Sequence, residues 1–236
     1  MTPHLHIQNL TKAFTLHQFN GKQIVGCSDI SLELEHGEFI GITGKSGAGK
    51  STILKCIYRT YIPTSGSMMY HSDTHGLIDL AQAEERDILE IRQKEIGYVS
   101  QFLRVLPRVT ALDCVVEVLV EVGTDKAVAV AEARAILAHF QLSESLWESY
   151  PNTFSGGEKL RLNLARAMVK RPKFLLLDEP TASLDQGSKA SVRDMIIELK
   201  RGGTSMIGIF HDLEFMESVV DKEFNMRNGI MVGGHA

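Results

Sequence analysis

The sequence predicts an α/β fold interrupted by a block of helices, and three observations carry that prediction. An apolar strand, FIGITG at 39–44, runs through a glycine-rich loop into the helical pattern KSTILKCIYRTY. Two more short apolar runs, KFLLLD at 173–178 and TSMIGIF at 204–210, enclose a helical stretch at about 187–200. Between about 102 and 170 the spacing is mostly helical, so the strand–helix alternation stops and later resumes.

Each element has its own local signal. Residues 5–10 and 30–34 (ISLEL) alternate as strands do, and HGE at 36–38 is a tight turn. The helix that begins at Lys50 keeps its spacing to Tyr61 and ends before Pro63. Residues 65–80 suit short strands joined by turns. AEERDILEIRQKEI at 83–96 is a charged amphipathic helix with Ile88 and Ile91 inward, Leu89 as a further inward candidate, and a solvated face. Then come ALDCVVEVLVEV, DKAVAVAEARAILAHF, and a helix opening at FSGG that puts Leu160, Leu164, Ala167 and Met168 on one face. No internal repeat, low-complexity tract or long linker divides the chain. Residues 1–236 therefore form a single domain, with a helical subdomain at about 102–170 inserted in the α/β core.

Composition narrows the function classes. Hydrophobic residues make up 44% and charged residues 23%, as in an ordinary globular protein. A net charge of −4 argues against nucleic acid or an anionic membrane surface as the main partner. Cys27, Cys56 and Cys114 are scattered without metal-ligand spacing, which fits reduced thiols, and the 9 histidines are dispersed. The opening MTPHLHIQNL lacks a basic segment followed by an apolar one. The most apolar uncharged windows fall far short of the roughly 18 residues of a membrane span. A cytoplasmic protein with no direct membrane insertion is expected.

The chemistry lies in a few motifs. GKSGAGKS at 44–51 fits G-x-x-x-x-G-K-[ST], and it sits between a strand and a helix, the context that gives the pattern its meaning. Gly44, Lys45, Ser46, Gly47, Ala48 and Gly49 form a loop whose N–H groups close round phosphate oxygens. Lys50 reaches the β- and γ-phosphates, Ser51 ligates Mg2+, and Thr52 is the last residue of the expected nucleotide-binding set. Asp178 closes an apolar strand, where it can hold the metal through water or Ser51, and Glu179 beyond it can polarise a water for in-line attack. Standing before Pro180, the same pair also suits a helix cap. His211 after the last apolar strand and Gln101 in GYVSQF are, taken singly, ordinary polar residues. FSGGEKLR at 154–161 offers a second helix N-terminus to an anion, although one phosphate cradle already exists.

Taken in order, GKSGAGKS, Gln101, FSGGE, LLLDEPTASLD and His211 resemble the ATP-binding cassette (ABC) ATPases over nearly the whole chain. The resemblance implies an α/β P-loop NTPase of ABC type with an N-terminal antiparallel β region and an inserted helical subdomain. It implies ATP and Mg2+ as ligands, with Ser51, Gln101 and Asp178 at the metal. Gln101 would touch the metal and the attacking water, Glu179 would be the catalytic carboxylate, and His211 would meet the γ-phosphate. ASLD at 182–185 looks like the loop that brings Asp185 to a dimer seam. Phe14 occupies the place of an aromatic stacked on adenine, with Phe19 a near alternative. FSGGE is similar to the family's LSGGQ, so Ser155, Gly156 and Gly157 would contact ATP seated on a second ABC subunit, identical or paralogous. Phe154 and Glu158 depart from that wording, and the Ser-Gly-Gly is kept.

Within the family, YVSQFLRVLPRVTAL, NTFSGGE, LLLDEPTASLD and GIFHD look most like the ABC-type component of the bacterial carbon–phosphorus lyase system, which degrades phosphonates. That implies soluble carbon–phosphorus lyase subunits as partners, with transfer of ribose triphosphate to phosphonate left to them. Arg104 and Arg108 flank Pro107 in this stretch and are either a partner contact or a solvated loop. The rival expectation is the motor of a lipoprotein-release or macrolide-export transporter, which shares the motifs. A third is an ATP-held dimer clamp with little turnover.

Overall fold

The computed structural model describes residues 3–16, 22–100, 108–182 and 184–235. Two strands open the chain, β1 (Leu5–Leu16) and β2 (Lys22–Leu34), paired antiparallel. Then come β3 (Phe39–Gly44), α1 (Lys50–Ile57), β4 (Ser65–Ser72), β5 (Gly76–Asp79), α2 (Glu85–Lys94) and β6 (Ile96–Val99). The helices α3 (Ala111–Glu121), α4 (Lys126–His139) and α5 (Gly156–Met168) follow without an intervening strand. The alternation returns with β7 (Phe174–Asp178), α6 (Gln186–Arg201), β8 (Ser205–Ile209), α7 (Leu213–Glu217), β9 (Lys222–Arg227) and β10 (Ile230–His235).

Two sheets result. The first has the order β2-β1-β4-β5 and is antiparallel throughout; the second has the order β10-β9-β3-β8-β7-β6. From β9 to β6 every pairing in the second sheet is parallel. Parallel strands covered on both faces should be apolar at every position, and β7 and β8 are buried along their whole length. The pleat divides them between two cores. Phe174 and Leu176 join Ile40, Ile42 and the α1 residues Ile53 and Leu54. Leu175 and Leu177 join the helical side, with Val115, Leu137, Leu164 and Ile196. Each such side chain contributes about 1.5–3 kcal/mol on burial.

Polar caps fix where the helices begin. Thr110, Asp125, Ser155, Asp185 and Asp212 each accept a backbone N–H at the start of α3, α4, α5, α6 and α7. The last three also belong to, or adjoin, the motifs. Among the described residues no helix is long and apolar enough to cross a membrane.

Several expectations are corrected. The helix expected to reach residue 61 ends at Ile57, because Arg59 adopts a left-handed φ of 60° that an α-helix cannot contain. Leu89 faces outward at 55% exposure, while Ile88 and Ile91 are buried as expected. The first two strands run well past residues 5–10 and 30–34. Register shifts after Ile7 and Leu10 break the alternation that would have marked the extension. Gln101, Arg104, Pro107 and Phe19 lie outside the described residues.

Candidate functional site

Parallel strands in register bring their C-terminal ends to one edge. Ile42 pairs with Ile209, Ile209 with Asp178, and Val99 with Leu177. The loop after β3, Glu179 after β7, His211 after β8 and Ser100 after β6 therefore converge there, where open α/β sheets hold ligands.

The loop from Gly44 to Gly49 is shaped by glycine where no other residue fits. Gly49 has φ 98°, and a Cβ there would come within 1.9 Å of the Gly26 carbonyl oxygen. Its close approach to β2 sets the entry of α1, whose first turn carries no acid to repel an anion. Lys50 is buried and curls back over the loop, donating from Nζ to the carbonyls of Gly44 at 2.7 Å and Lys45 at 3.0 Å. Burial lowers its pKa, with the charges of Glu179 and Asp178 opposing. A cation held this way gains by receiving an anion.

Ser51 donates its hydroxyl to Asp178 Oδ1 at 3.0 Å, and Tyr98 donates to Oδ2 at 3.4 Å. Asp178 is 2% exposed, and burial, with the charge of Glu179 adding to it, raises its pKa. A buried carboxylate beside a hydroxyl is a hard-oxygen donor set suited to Mg2+ together with phosphate oxygens and water. Among the described residues no three His, Cys, Asp or Glu side chains gather as a separate metal site. Glu179 leaves the strand with φ 57°, a strained value for a non-glycine residue, and its N–H is held by the Ile209 carbonyl at 3.1 Å. The turn aims its carboxylate at His211, whose Nε2 lies 2.9 Å from Oε1. With Glu179 ionised, Nε2–H is the donor. Lys189 on α6 pairs with Asp212 at 2.5 Å, tying the segment after His211 to the core.

Phe14 packs half-buried against the start of α1. A Cβ on Gly26 would meet Phe14 Cε2 at 2.7 Å and Thr52 Cγ2 at 3.0 Å. Tyr61 meets the Phe14 ring edge-on at 5.1 Å, and the Lys12 ammonium lies 5.1 Å from its centroid.

The second anion motif is turned to a different use within this chain. Ser155 caps α5 in a closed capping box. Its N–H and hydroxyl donate to Glu158 Oε2 at 2.7 and 2.8 Å, while its oxygen accepts from the Glu158 N–H at 3.3 Å. A Cβ at Gly156 would meet nothing within 4 Å, so packing inside this chain does not demand glycine there. Asp185 is exposed and caps α6, accepting from the Ser188 N–H at 2.8 Å.

The structure thus brings together Lys50, Ser51, Asp178, Glu179 and His211, and sets Ser155 and Asp185 apart on helix starts of their own. Tyr98 and Asn163 were not foreseen. Asn163, 6% exposed on α5, donates to the Ser100 carbonyl at 2.7 Å, and only its place on a buried helical face hinted at it. A cavity of about 580 Å³ also opens beside Asp178 and Tyr98, with Arg92, Arg166 and Lys170 in its walls.

The chain is similar to known proteins. The family profile described as ABC transporter matches residues 27–182. The lipoprotein-releasing system ATP-binding protein LolD of Shewanella denitrificans is 34% identical over 204 residues, 86% of this chain and 84% of that protein. The cell division ATP-binding protein FtsE of Bacillus subtilis is 32% identical over 203 residues, 86% of each chain. Among solved structures, the ATP-binding cassette MJ0796, a dimer in a post-hydrolysis state bound to ADP and Pi, superposes with a TM-score of 0.88. It is 26% identical and covers 98% of this chain and 97% of its own.

Proposed function

The chain belongs to the ABC transporter family of ATP-binding cassettes, and from that premise we propose that it hydrolyses ATP as one half of a two-cassette dimer. The observation that carries this is the cluster of Lys50, Ser51, Asp178, Glu179 and His211 at one sheet edge, while Ser155 and the exposed Gly156 stand on a separate helix start and in this reading serve a different molecule's nucleotide. The cassette dimer bound to ADP and Pi supports the same arrangement.

In this reading the N–H groups of residues 44–52 and Lys50 hold the phosphates, and Phe14 supplies a face for the base. Ser51 and Asp178, with Gln101, would hold Mg2+, which offsets phosphate charge when bound. Glu179 accepts a proton from the attacking water. His211, already hydrogen-bonded to Glu179, orients that carboxylate and would turn the same Nε2–H toward the γ-phosphate when ATP is bound. Ser155, Gly156 and Gly157 close over the partner's γ-phosphate once Glu158 swings away, with Asp185 at the seam.

The assembly served is a finer matter. The lipoprotein-releasing relatives favour a transporter-type motor, with a membrane permease as partner, over the soluble phosphonate-degrading complex. The second reading, a subunit of the carbon–phosphorus lyase assembly, keeps the support of the segments at 98–112, 152–158, 175–185 and 208–212. The identities of 34% to LolD and 32% to FtsE are also nearly level, which singles out neither of those systems.

Two experiments test these statements. Ser155→Arg should leave ATP affinity of the monomer intact while ATP-dependent dimerisation and turnover fail. Collapse of monomer affinity would mean that Ser155 serves its own nucleotide. Purifying the tagged chain from its native cells should bring down a permease in the first reading and soluble lyase subunits in the second.

A further inference from the structure

The helix that carries Ser155 is tied to the helix that carries Asp185 by a partly buried relay. Arg161 on α5 donates from Nη1 to Ser188 Oγ at 3.0 Å. Ser188 is 1% exposed, and it passes the interaction on. Its hydroxyl donates to Asp185 Oδ2 at 3.2 Å and its N–H to Oδ1 at 2.8 Å. A hydroxyl that accepts from a guanidinium and donates to a carboxylate is polarised in both directions.

The relay is specific to the two helix starts. Arg161 Nε is shielded from solvent, and among the described residues it makes no hydrogen bond. The charge of Arg161 also helps to lower the carboxyl pKa of both Glu158, in the first turn of α5, and Asp185. One cation therefore stands between the acid beside Ser155 and the acid that caps α6. Further along, Gln141 just past α4 donates to Ser191 Oγ at 2.9 Å and to the Gly187 carbonyl at 3.4 Å, and His139 Nε2 lies 2.9 Å from the Ser191 carbonyl, so the α4 end also holds α6.

We propose that Arg161 is a positioning residue for the two-cassette reaction: through Ser188 it fixes Ser155 and Asp185 relative to each other, so that both meet the partner cassette as one surface. The inference rests on the two-cassette reading. Ser155 and Asp185 project from different helices, and a partner that must engage both binds best when their spacing is set beforehand. Without Arg161, each contact would be ordered separately at the moment of association.

The test uses the full chain carrying Glu179→Gln, with ATP and Mg2+, and follows dimerisation by light scattering against protein concentration. Arg161→Ala and Ser188→Ala should each raise the concentration for half-dimerisation by about tenfold, the scale of one hydrogen bond to a charged group. The double variant should lose no more than either single one, because both break the same relay. Monomer ATP affinity and melting temperature should stay near the parent's, and Arg161→Lys, which keeps the charge, should recover part of the loss. Unchanged dimerisation, additive losses, or losses that track melting temperature or monomer ATP affinity would overturn the role given to Arg161. A Glu179→Gln parent that binds ATP yet stays monomeric would instead defeat the two-cassette reading, and the role of Arg161 with it.

Discussion

Ser51 and Asp178, 127 residues apart in sequence, share a hydrogen bond of 3.0 Å that joins the phosphate loop to the end of the central strand. The contact commits the only hydroxyl of Ser51 to a carboxylate buried on β7, and the burial has a consequence that can be measured without nucleotide.

Asp178 is harder to ionise in the fold than in the unfolded chain, because burial raises its pKa and the charge of Glu179 adds to the effect. Between the ordinary carboxylate range and the raised folded value, the folded state binds more protons, so stability falls as pH rises through that window. Asp178→Asn removes this decline. The ATP-free variant should be at least as stable as wild type at neutral pH, with its urea midpoint gaining on that of wild type as pH rises through that window. Its Mg2+-dependent hydrolysis should fall by roughly 10² or more. A variant less stable than wild type at neutral pH would show that Asp178 acts mainly as a packing anchor.

Glu179→Gln keeps shape and the acceptor for His211, 2.9 Å away, but removes the proposed base. ATP should still bind, turnover should drop by about 10² or more, and an ATP-bound dimer should accumulate on gel filtration. Equal turnover in wild type and variant would remove Glu179 from the mechanism.

Gly49→Ala sets a methyl group 1.9 Å from the Gly26 carbonyl oxygen at φ 98°. The clash is with backbone, so the loop must move, and the strained φ alone costs roughly 1–3 kcal/mol. ADP affinity should fall at least about tenfold, the equivalent of 1.4 kcal/mol. Gly47→Ala is the comparison, since its φ is 78° but a Cβ there meets nothing within 4 Å. It should keep more of the affinity in a fluorescence titration, and the reverse order would contradict the loop geometry.

His4 gives the protein an acid limit away from the nucleotide. Its ring is buried, stacks on His36 at 4.4 Å and bonds Ser205 Oγ through Nδ1 at 2.7 Å. Burial first, and then the neighbouring His36, push its pKa down from 6.5 to about 4. The unfolded chain takes up a proton below 6.5 that the fold refuses until about 4, so stability is full above this window and falls as pH drops through it. The loss is on the order of 3 kcal/mol by 4, and His4→Gln should flatten it in denaturant titrations. An unchanged slope would assign the acid sensitivity to other groups.

What the sequence made legible follows from how each feature is encoded. The phosphate loop, Asp178, Glu179 and His211 lie within a few residues of a strand end; the loop's pattern located it alone, while the three side chains took their roles from the order of the motifs and its resemblance to the ABC ATPases. Tyr98, Asn163 and the Arg161–Ser188 relay depend on which elements pack together, and no local spacing announces that. The early end of α1 turned on an arginine at positive φ, whereas the apolar spacing ran on to Tyr61. Leu89 belonged to a helix whose apolar stripe is two residues wide, and the third candidate fell outside it. The β1–β2 ribbon was longer than it read because its bulges reset the alternation.

The closed box at Ser155 bears on how the subunit behaves alone. A cell is rich in phosphate, nucleotides and acidic metabolites, and a bare helix start with open donors would attract any of them. Glu158 has already taken the serine's N–H and hydroxyl. A stray anion arriving there must evict a tethered carboxylate and gains little by doing so. In the two-cassette reading, a nucleotide carried in by a whole second protein would bring enough additional contact to win the exchange. The side chain in the place of the family's glutamine would then work as a filter on encounter, keeping the docking face vacant for its intended visitor.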